Sequence, residues 1–284
     1  MNVIIGMLVV LSAVVGGYLL GHGNLSVLYQ PAEYIIIFGA AIGSFIIGSP
    51  GSILSATVKD IIKVFTHKSL SKKSYIELLM LLYELCSKAR KEGIIAIEKD
   101  IEGFDKSEIF KRYKQVIADK HTADFIRDNF RALVMGMQVE EISELLEIDI
   151  ETSRKESMIP SQGVAKIADS LPGLGIVAAV LGVVLTMGKI NEPPEVLGNH
   201  IGAALVGTFL GVLACYGFVG PIASNLEHMA KERETYFNVI KVALQRFDST
   251  PAMAIEIARR EIPLTARPSF KEMEDTIKQW KGKK

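Results

Sequence analysis

The 284-residue sequence predicts an all-α integral membrane protein. It is expected to have four transmembrane helices, a cytoplasmic helical bundle between the second and third, and a cytoplasmic C-terminal helical tail. Two observations predict this. Four apolar runs, Met1–Leu20, Tyr34–Leu54, Ser170–Gly188 and Ile201–Leu226, contain no Asp, Glu, Lys, Arg or His. Each is close to the roughly 20 residues that a helix rising about 1.5 Å per residue needs to cross a bilayer core. The charges are also segregated: 32 Lys and Arg balance 32 Asp and Glu, yet they sit almost wholly in two blocks between and after the runs. The expected domains are residues 1–54 (spans one and two), 55–169 (cytoplasmic helical domain), 170–226 (spans three and four) and 227–284 (cytoplasmic tail).

The elements follow in order. Met1–Leu20 has no basic n-region, and Leu19-Leu20-Gly21 is a poor cleavage site, so it reads as a span and not as a signal peptide. The Pro50–Gly51 step is expected to end the second span and leave Ser52–Leu54 at the interface. In the Lys59–Lys166 block, Tyr75, Leu78, Leu79, Leu82, Leu85, Cys86 and Ala89 recur at steps of three and four, an amphipathic stripe. Glu84 stands four residues before Lys88, an ion-pair spacing expected on the wet face. Gly93 stands where a C-cap belongs. Ile109–Ile117, Phe125–Val134 and Val139–Ile150 are further amphipathic stretches, so the block is expected to be a compact bundle. The tail continues the fourth span as a helix through Phe247, breaks at Thr250-Pro251, and ends in a helix from about Ser269 to Trp280.

Charge sets the orientation. Every Lys and Arg except Lys189 lies between Lys59 and Lys166 or between Lys231 and Lys284. The connectors Gly21–Glu33 and Ile190–His200 have none, and Gln30-Pro31 and Pro193-Pro194 mark them as turns. The positive-inside rule therefore places both charged blocks and both termini in the cytoplasm.

The same composition excludes several functions. A formal net charge of +0 argues against nucleic acid as a partner. Cys86 and Cys215 form neither a disulfide framework nor a metal site. No nucleophile–base pair, metal-ligand cluster or phosphate loop is visible, so no catalytic residue, metal ligand or cofactor is assigned.

Small residues crowd the last two spans: Gly173, Gly175, Ala178, Ala179 and Gly182 in one, Gly202, Ala203, Ala204, Gly207 and Gly211 in the other. Gly39 with Gly43, and Gly207 with Gly211, are pairs whose spacing lets helix backbones approach closely in lipid. Simple helix packing accounts for any one of these glycines. Together, the two glycine-rich faces point to assembly around a partner helix. An ion pathway usually carries an intramembrane ionisable group, and these four runs have none, so a conducted ion would need a carboxylate from another subunit. What remains are the hydroxyls of Thr186, Thr208 and Tyr216, and an intramembrane Thr commonly bonds its own backbone at i−4. Pro172 is placed in the first turn of the third span, where its missing N–H costs little. Pro221, deep in the fourth span, is expected to kink it, as a static bend or as a hinge.

The motifs LYQPAEYIIIFGAAIGSFIIG (Leu28–Gly48), DSLPGLGIVAAVLGVV (Asp169–Val184), LVGTFLGVLACYGFVGP (Leu205–Pro221) and RPSFKEME (Arg267–Glu274), in this order, resemble the MotA family of flagellar motor stator proteins. That family lies within the MotA/TolQ/ExbB proton channel group, and the resemblance covers nearly the whole chain. It implies a homopentameric ring in the bacterial inner membrane around a dimer of a MotB-like single-span subunit. The partner supplies the ion-binding Asp, and the ring pushes the rotor switch protein FliG. It further implies rotor-contacting roles for Arg90 and Glu98 and mechanical roles for Pro172 and Pro221. On the residues alone, Arg90 and Glu98 would be ordinary solvated charges. In sodium-driven relatives a Thr of the third span lines the ion path; Ala179 occupies that place here and offers no oxygen ligand, which implies proton coupling. Thr208 matches a threonine of both ion classes and does not decide. The nearest rival is an ExbB- or TolQ-like energising subunit, which typically has three spans and a large loop after the first. A membrane scaffold that moves no ions is a further rival.

Overall fold

The computed structural model describes residues 2–66, 69–104 and 106–282. Met1 and Lys284, which bound the expected first span and last charged block, lie outside the described residues. Among those described, every regular element is helical. In order they are α1 (Asn2–Leu20), α2 (Leu25–Leu28), α3 (Pro31–Ile47), α4 (Gly51–Thr66), α5 (Lys72–Glu92), α6 (Glu98–Glu102), α7 (Glu108–Arg112), α8 (Lys114–Ile117), α9 (Lys120–Val134), α10 (Val139–Met187), α11 (Pro194–Leu213), α12 (Gly220–Gln245), α13 (Pro251–Glu261) and α14 (Phe270–Gly282). A 3₁₀ turn occupies Ile94–Ile97 and a π-helical stretch Ala214–Val219.

Four helical segments are long and apolar enough to cross a membrane: Asn2–Leu20, Leu25–Ile47, Val139–Met187 and Pro194–Gln245. The second lies earlier than hydropathy places it. Its helix stops at Ile47, where the Gly48 N–H closes on the Ser44 carbonyl at 3.1 Å. Ser52–Leu54 belong to the start of α4. The third is not a separate helix. It is the end of the 49-residue α10, which runs unbroken through Pro160 and Pro172. Pro172 therefore lies in a helix interior and not in a first turn. Loss of charge after Asp169 marks where apolar sequence begins, which need not be where helix begins.

The chain divides into two compact units, Met1–His67 with Ser157–Met229, and Lys68–Glu156 with Ala230–Lys284. In the first unit, Ile37 and Ala41 of α3 pack with Ala168, Leu171 and Ala178 of α10 and with Ala214 and Cys215 of the π stretch. Val64, Val164, Ala223 and Leu226 make a second cluster, and the Ser161 hydroxyl ties α10 to α12 by donating to the Ala223 carbonyl at 2.9 Å. The outer faces are apolar: Ile4, Leu8, Ile35, Ile42, Val180, Val184 and Leu205 are all exposed. Such a surface suits lipid or neighbouring subunits and not water.

In the second unit α5 is the central element. Ser71 and Ser74 form a capping box at its start, and Gly93 ends it at φ +87°, a conformation that glycine adopts without strain. Leu78, Leu79, Leu81, Leu82 and Leu85 are fully buried, and burying each contributes about 1.5–3 kcal/mol. The expected wet face is absent here. Glu84 is 1% exposed, and it accepts from Arg112, from the Tyr113 hydroxyl at 3.2 Å and from the Trp280 indole N–H at 3.2 Å. Lys88 instead pairs with Asp100 at 2.6 Å. The stretch Ile109–Ile117 splits into α7 and α8 at Tyr113, whose ring turns inward toward Glu84. Thr250 caps α13 through the Met253 N–H, and Ser269 with Glu272 caps α14 reciprocally. In the RPSFKEME segment, Arg267 donates to the Arg260 and Ile262 carbonyls at 2.6 and 2.8 Å. The buried Arg259 donates to the Pro268 carbonyl at 2.8 Å.

Candidate functional site

The site within the first unit is built on glycine. A Cβ at Gly175 of α10 would stand 2.7 Å from the Gly207 carbonyl oxygen and 3.1 Å from the Gly211 Cα. One at Gly182 would stand 2.7 Å from the Ala204 Cβ. Real side chains do not approach so closely, so α10 and α11 meet backbone to backbone because these positions are bare. Gly175, Gly182, Gly207 and Gly211 thus pack α10 against α11 within the chain. Around Gly39, Gly43, Gly173 and Gly202 the space is open.

Sequence reading missed one residue here. Glu33 was counted as the end of the first connector, but α3 begins at Pro31, so Glu33 lies in its first turn and inside the candidate span. It is 7% exposed, and among the described residues its Oε2 has no hydrogen-bond partner. The carboxyl is wedged between the two glycine-lined helices. Oε1 lies 3.4 Å from where a Gly182 Cβ would be, and Oε2 lies 2.5 Å from where a Gly207 Cβ would be. The candidate spans therefore do carry a carboxyl of their own. The available signal was Pro31, which is favoured at the first helical position and so moves the helix start ahead of Glu33.

The expected ion-path residues fall in different surroundings. Thr186 is 2% exposed, and its hydroxyl donates to the Gly182 carbonyl at 2.8 Å, the self-bonding expected of an isolated intramembrane threonine. Ala179 and Thr208 are half-buried; Thr208 borders the α10–α11 contact, with its Cα 3.3 Å from where a Gly175 Cβ would be. Tyr216, in the π stretch, is 74% exposed. Pro172 is half-buried in the interior of α10. Pro221 follows the π stretch, where the Gly220 N–H reaches back five residues to the Cys215 carbonyl. A proline ring clashes with the carbonyl four residues earlier, and a wider turn relieves that clash.

In the second unit Arg90 lies in the last turn of α5 and is exposed. It donates from Nη1 to the Ser249 carbonyl at 2.6 Å and the Asp248 carbonyl at 3.3 Å. Glu98 opens α6 beyond the 3₁₀ turn and is exposed. Cys86 and Tyr75 of α5 are buried. Burial pushes the Cys86 thiol up to about 12. It likewise raises the Tyr75 phenol to about 12, with Glu232 adding to the effect. These features define a helical protein with four segments long and apolar enough to cross a membrane and a second, charge-rich helical unit.

Comparison with known proteins sharpens the class. Residues 4–93 match the family described as Motility protein A N-terminal, and residues 117–238 match the MotA/TolQ/ExbB proton channel family. Motility protein A of Escherichia coli is 42% identical over 281 residues, covering 98% of this chain and 95% of that protein. The chemotaxis protein LafT of Vibrio parahaemolyticus is 35% identical over 285 residues, covering 99% and 100%. The fold matches the solved structure of C. jejuni MotAB at a TM-score of 0.80 with 20% identity, over 95% of this chain and 98% of that one. It matches the flagellar MotAB stator complex of Bacillus subtilis at 0.74 with 22% identity, over 97% and 98%. The chain belongs to the Motility protein A family, the flagellar stator subunits of the MotA/TolQ/ExbB proton channel group. It is an ion-channel motor subunit of the inner membrane, and its family is not one of enzymes. The match through the N-terminal domain disposes of the ExbB- or TolQ-like rival.

Proposed function

We propose that this subunit assembles as a pentameric ring around a dimer of a MotB-like single-span protein and couples proton flow to torque on FliG. Both termini and the second unit lie in the cytoplasm in this reading, which the scarcity of Lys and Arg in the two connectors supports. The ring is bedded in lipid through the exposed apolar faces of α1, α3, α10 and α11. The partner contributes the Asp that cycles between protonated and charged forms, while Arg90 and Glu98 meet the rotor. Pro172 and Pro221 transmit span movement, the latter beside a π stretch that already departs from regular helix. Thr208, Thr186 and Tyr216 line or flank the route.

The observation that carries the ion assignment is Ala179. A dehydrated sodium ion needs oxygen ligands, and this side chain has none, whereas a proton needs only a water wire or a carboxylate. The test is swimming in sodium-free medium, with and without a protonophore. Motility that persists without sodium and stops when the proton gradient collapses is expected; dependence on external sodium overturns the assignment.

A further inference from the structure

The membrane part holds a carboxyl that the proposed mechanism does not use. Glu33 is more than nine-tenths buried, its Oε2 is unpartnered, and it is aimed between Gly182 of α10 and Gly207 of α11. A carboxylate oxygen ionised in that setting without a donor is strongly disfavoured, and an intramembrane ionisable residue marks a functional site by default.

The surroundings extend the case. Gly182 and Thr186 are four residues apart and so share one face of the α10 end, and Lys189 follows in the turn just after the helix. His200, Ala204 and Gly207, at steps of four and three, share one face of α11. Ala204 lies across from Gly182, and Gly207 across from Ala178. At the exposed end of these faces the Lys189 Nζ and His200 Nε2 are 3.1 Å apart. The groups around the Glu33 carboxyl are Gly182 of α10 and Gly207 of α11, with Ala204 packed on Gly182; Thr186 lies one turn further along α10, its hydroxyl donating to the Gly182 carbonyl. His200 is the first titratable group along the α11 face toward that end, Lys189 lies in the turn after α10, and Tyr34 follows Glu33 in α3.

We propose that Glu33 is a proton-binding site of this chain's own membrane part, loaded and unloaded through the Thr186 and Lys189–His200 end of α10 and α11. Binding joins one proton from water to a carboxylate oxygen, and release returns it to water. The neutral acid fits the closed glycine cradle. The carboxylate favours opening of α3 from α10 and α11, because a charge there needs solvent. The chain thus holds a relay position separate from the acid supplied by its partner. This rests on the proton-coupled reading above.

The test uses the complete complex with its single-span partner in membranes, comparing wild type with Glu33→Gln, Glu33→Asp and Glu33→Ala. Infrared difference spectra across external pH read the carbonyl stretch of a protonated carboxylic acid, which shifts in heavy water. Wild type is expected to show such a band, and Glu33→Gln to lack it. Glu33→Gln should assemble at wild-type abundance yet rotate at least fivefold slower, with Glu33→Asp partly restored and shifted in its external-pH profile. A wild-type complex without the band, or a Glu33→Gln motor at wild-type speed, overturns the proposal. If Glu33→Gln fails to assemble, Glu33→Asp decides: a displaced acid band supports the site and an unchanged spectrum overturns it. Rotation that needs sodium instead would sink the proton-coupled reading while the band and its loss in Glu33→Gln remained measurable, so the two failures are separable.

Discussion

The Arg90 guanidinium holds the Ser249 carbonyl at 2.6 Å. The side chain proposed to meet the rotor is thereby also the clamp on the turn between α12 and α13. Reversal and truncation should separate these duties. Arg90→Glu is expected to abolish most rotation, with recovery by a compensating reversal on the rotor. Arg90→Ala is expected to loosen the turn, with a stability loss of about 1 kcal/mol and faster amide exchange at residues 248–253. If Arg90→Lys exchanges fast in the turn but rotates normally, charge is what matters at this surface. If rotation instead tracks turn exchange across all three variants, the rotor contact is wrongly assigned.

Glu84 joins α5 to Arg112, Tyr113 and Trp280 from a fully buried position. Glu84→Ala leaves a phenol, an indole N–H and a guanidinium short of an acceptor, and removing one member of a buried charged network typically costs about 3–5 kcal/mol. Thermal unfolding of the purified chain should show the loss, and Trp280 fluorescence should shift as the indole gains water. A melting temperature within a degree or so of wild type would mean the network is dispensable.

The Cys86 thiol, pushed up to about 12 by burial, should resist a maleimide at neutral to mildly alkaline pH in the folded protein and react once denaturant opens the bundle. Fast labelling in native conditions would show that the core around α5 opens locally.

Bare backbone contact between α10 and α11 makes a graded prediction. Gly175→Val should prevent the complex from accumulating in membranes, since even a Cβ there meets the Gly207 carbonyl oxygen at 2.7 Å. Gly39→Ala, with open space around it, should leave the chain folded, and any defect should appear in assembly with the partner. Equal folding loss in both variants would contradict the packing described.

Much of this architecture was legible in sequence because apolar length and helical period are local signals. Thr250, Gly93 and Ser269 mark helix ends by chemistry that each residue carries itself. What escaped was long-range. Glu84 looks solvent-facing when only Lys88 is considered, because its acceptor role depends on Arg112 and Trp280, 28 and 196 residues away. Glu33 escaped because a scan for uncharged windows stops at the first charge, whereas Pro31 had already started the helix. Arg90's backbone partners and the interior position of Pro172 had no linear signature at all. Thr186, Thr208 and Tyr216 were legible as the hydroxyls left in uncharged runs, while Ala179 came from resemblance; the burial of the first two and of Ala179 depends on which faces α10 and α11 turn to each other, and Tyr216 lies beyond them in the π stretch.

The Arg259 guanidinium, bonded to both Glu256 oxygens at 2.7 Å, holds that carboxyl below its ordinary value of 4.5. A depressed folded value means the pair's stabilisation is fully present above about pH 4.5 and is lost as pH falls through the lower folded value. Melting temperature measured from about pH 6 down to about pH 3 should fall more steeply in wild type than in Glu256→Gln. Parallel curves would mean the pair contributes nothing to the acid response.

The wide turn at Ala214–Val219 has an evolutionary reading. Each of its loops of backbone encloses one amino acid more than an ordinary coil does, so this segment holds a spare residue. Excising a single codon there should let the coil tighten without rotating Gly207 or Ala223 out of place, while the same excision a turn earlier would swing every downstream side chain by about 100°. Natural length variation in this span should therefore gather just ahead of Pro221.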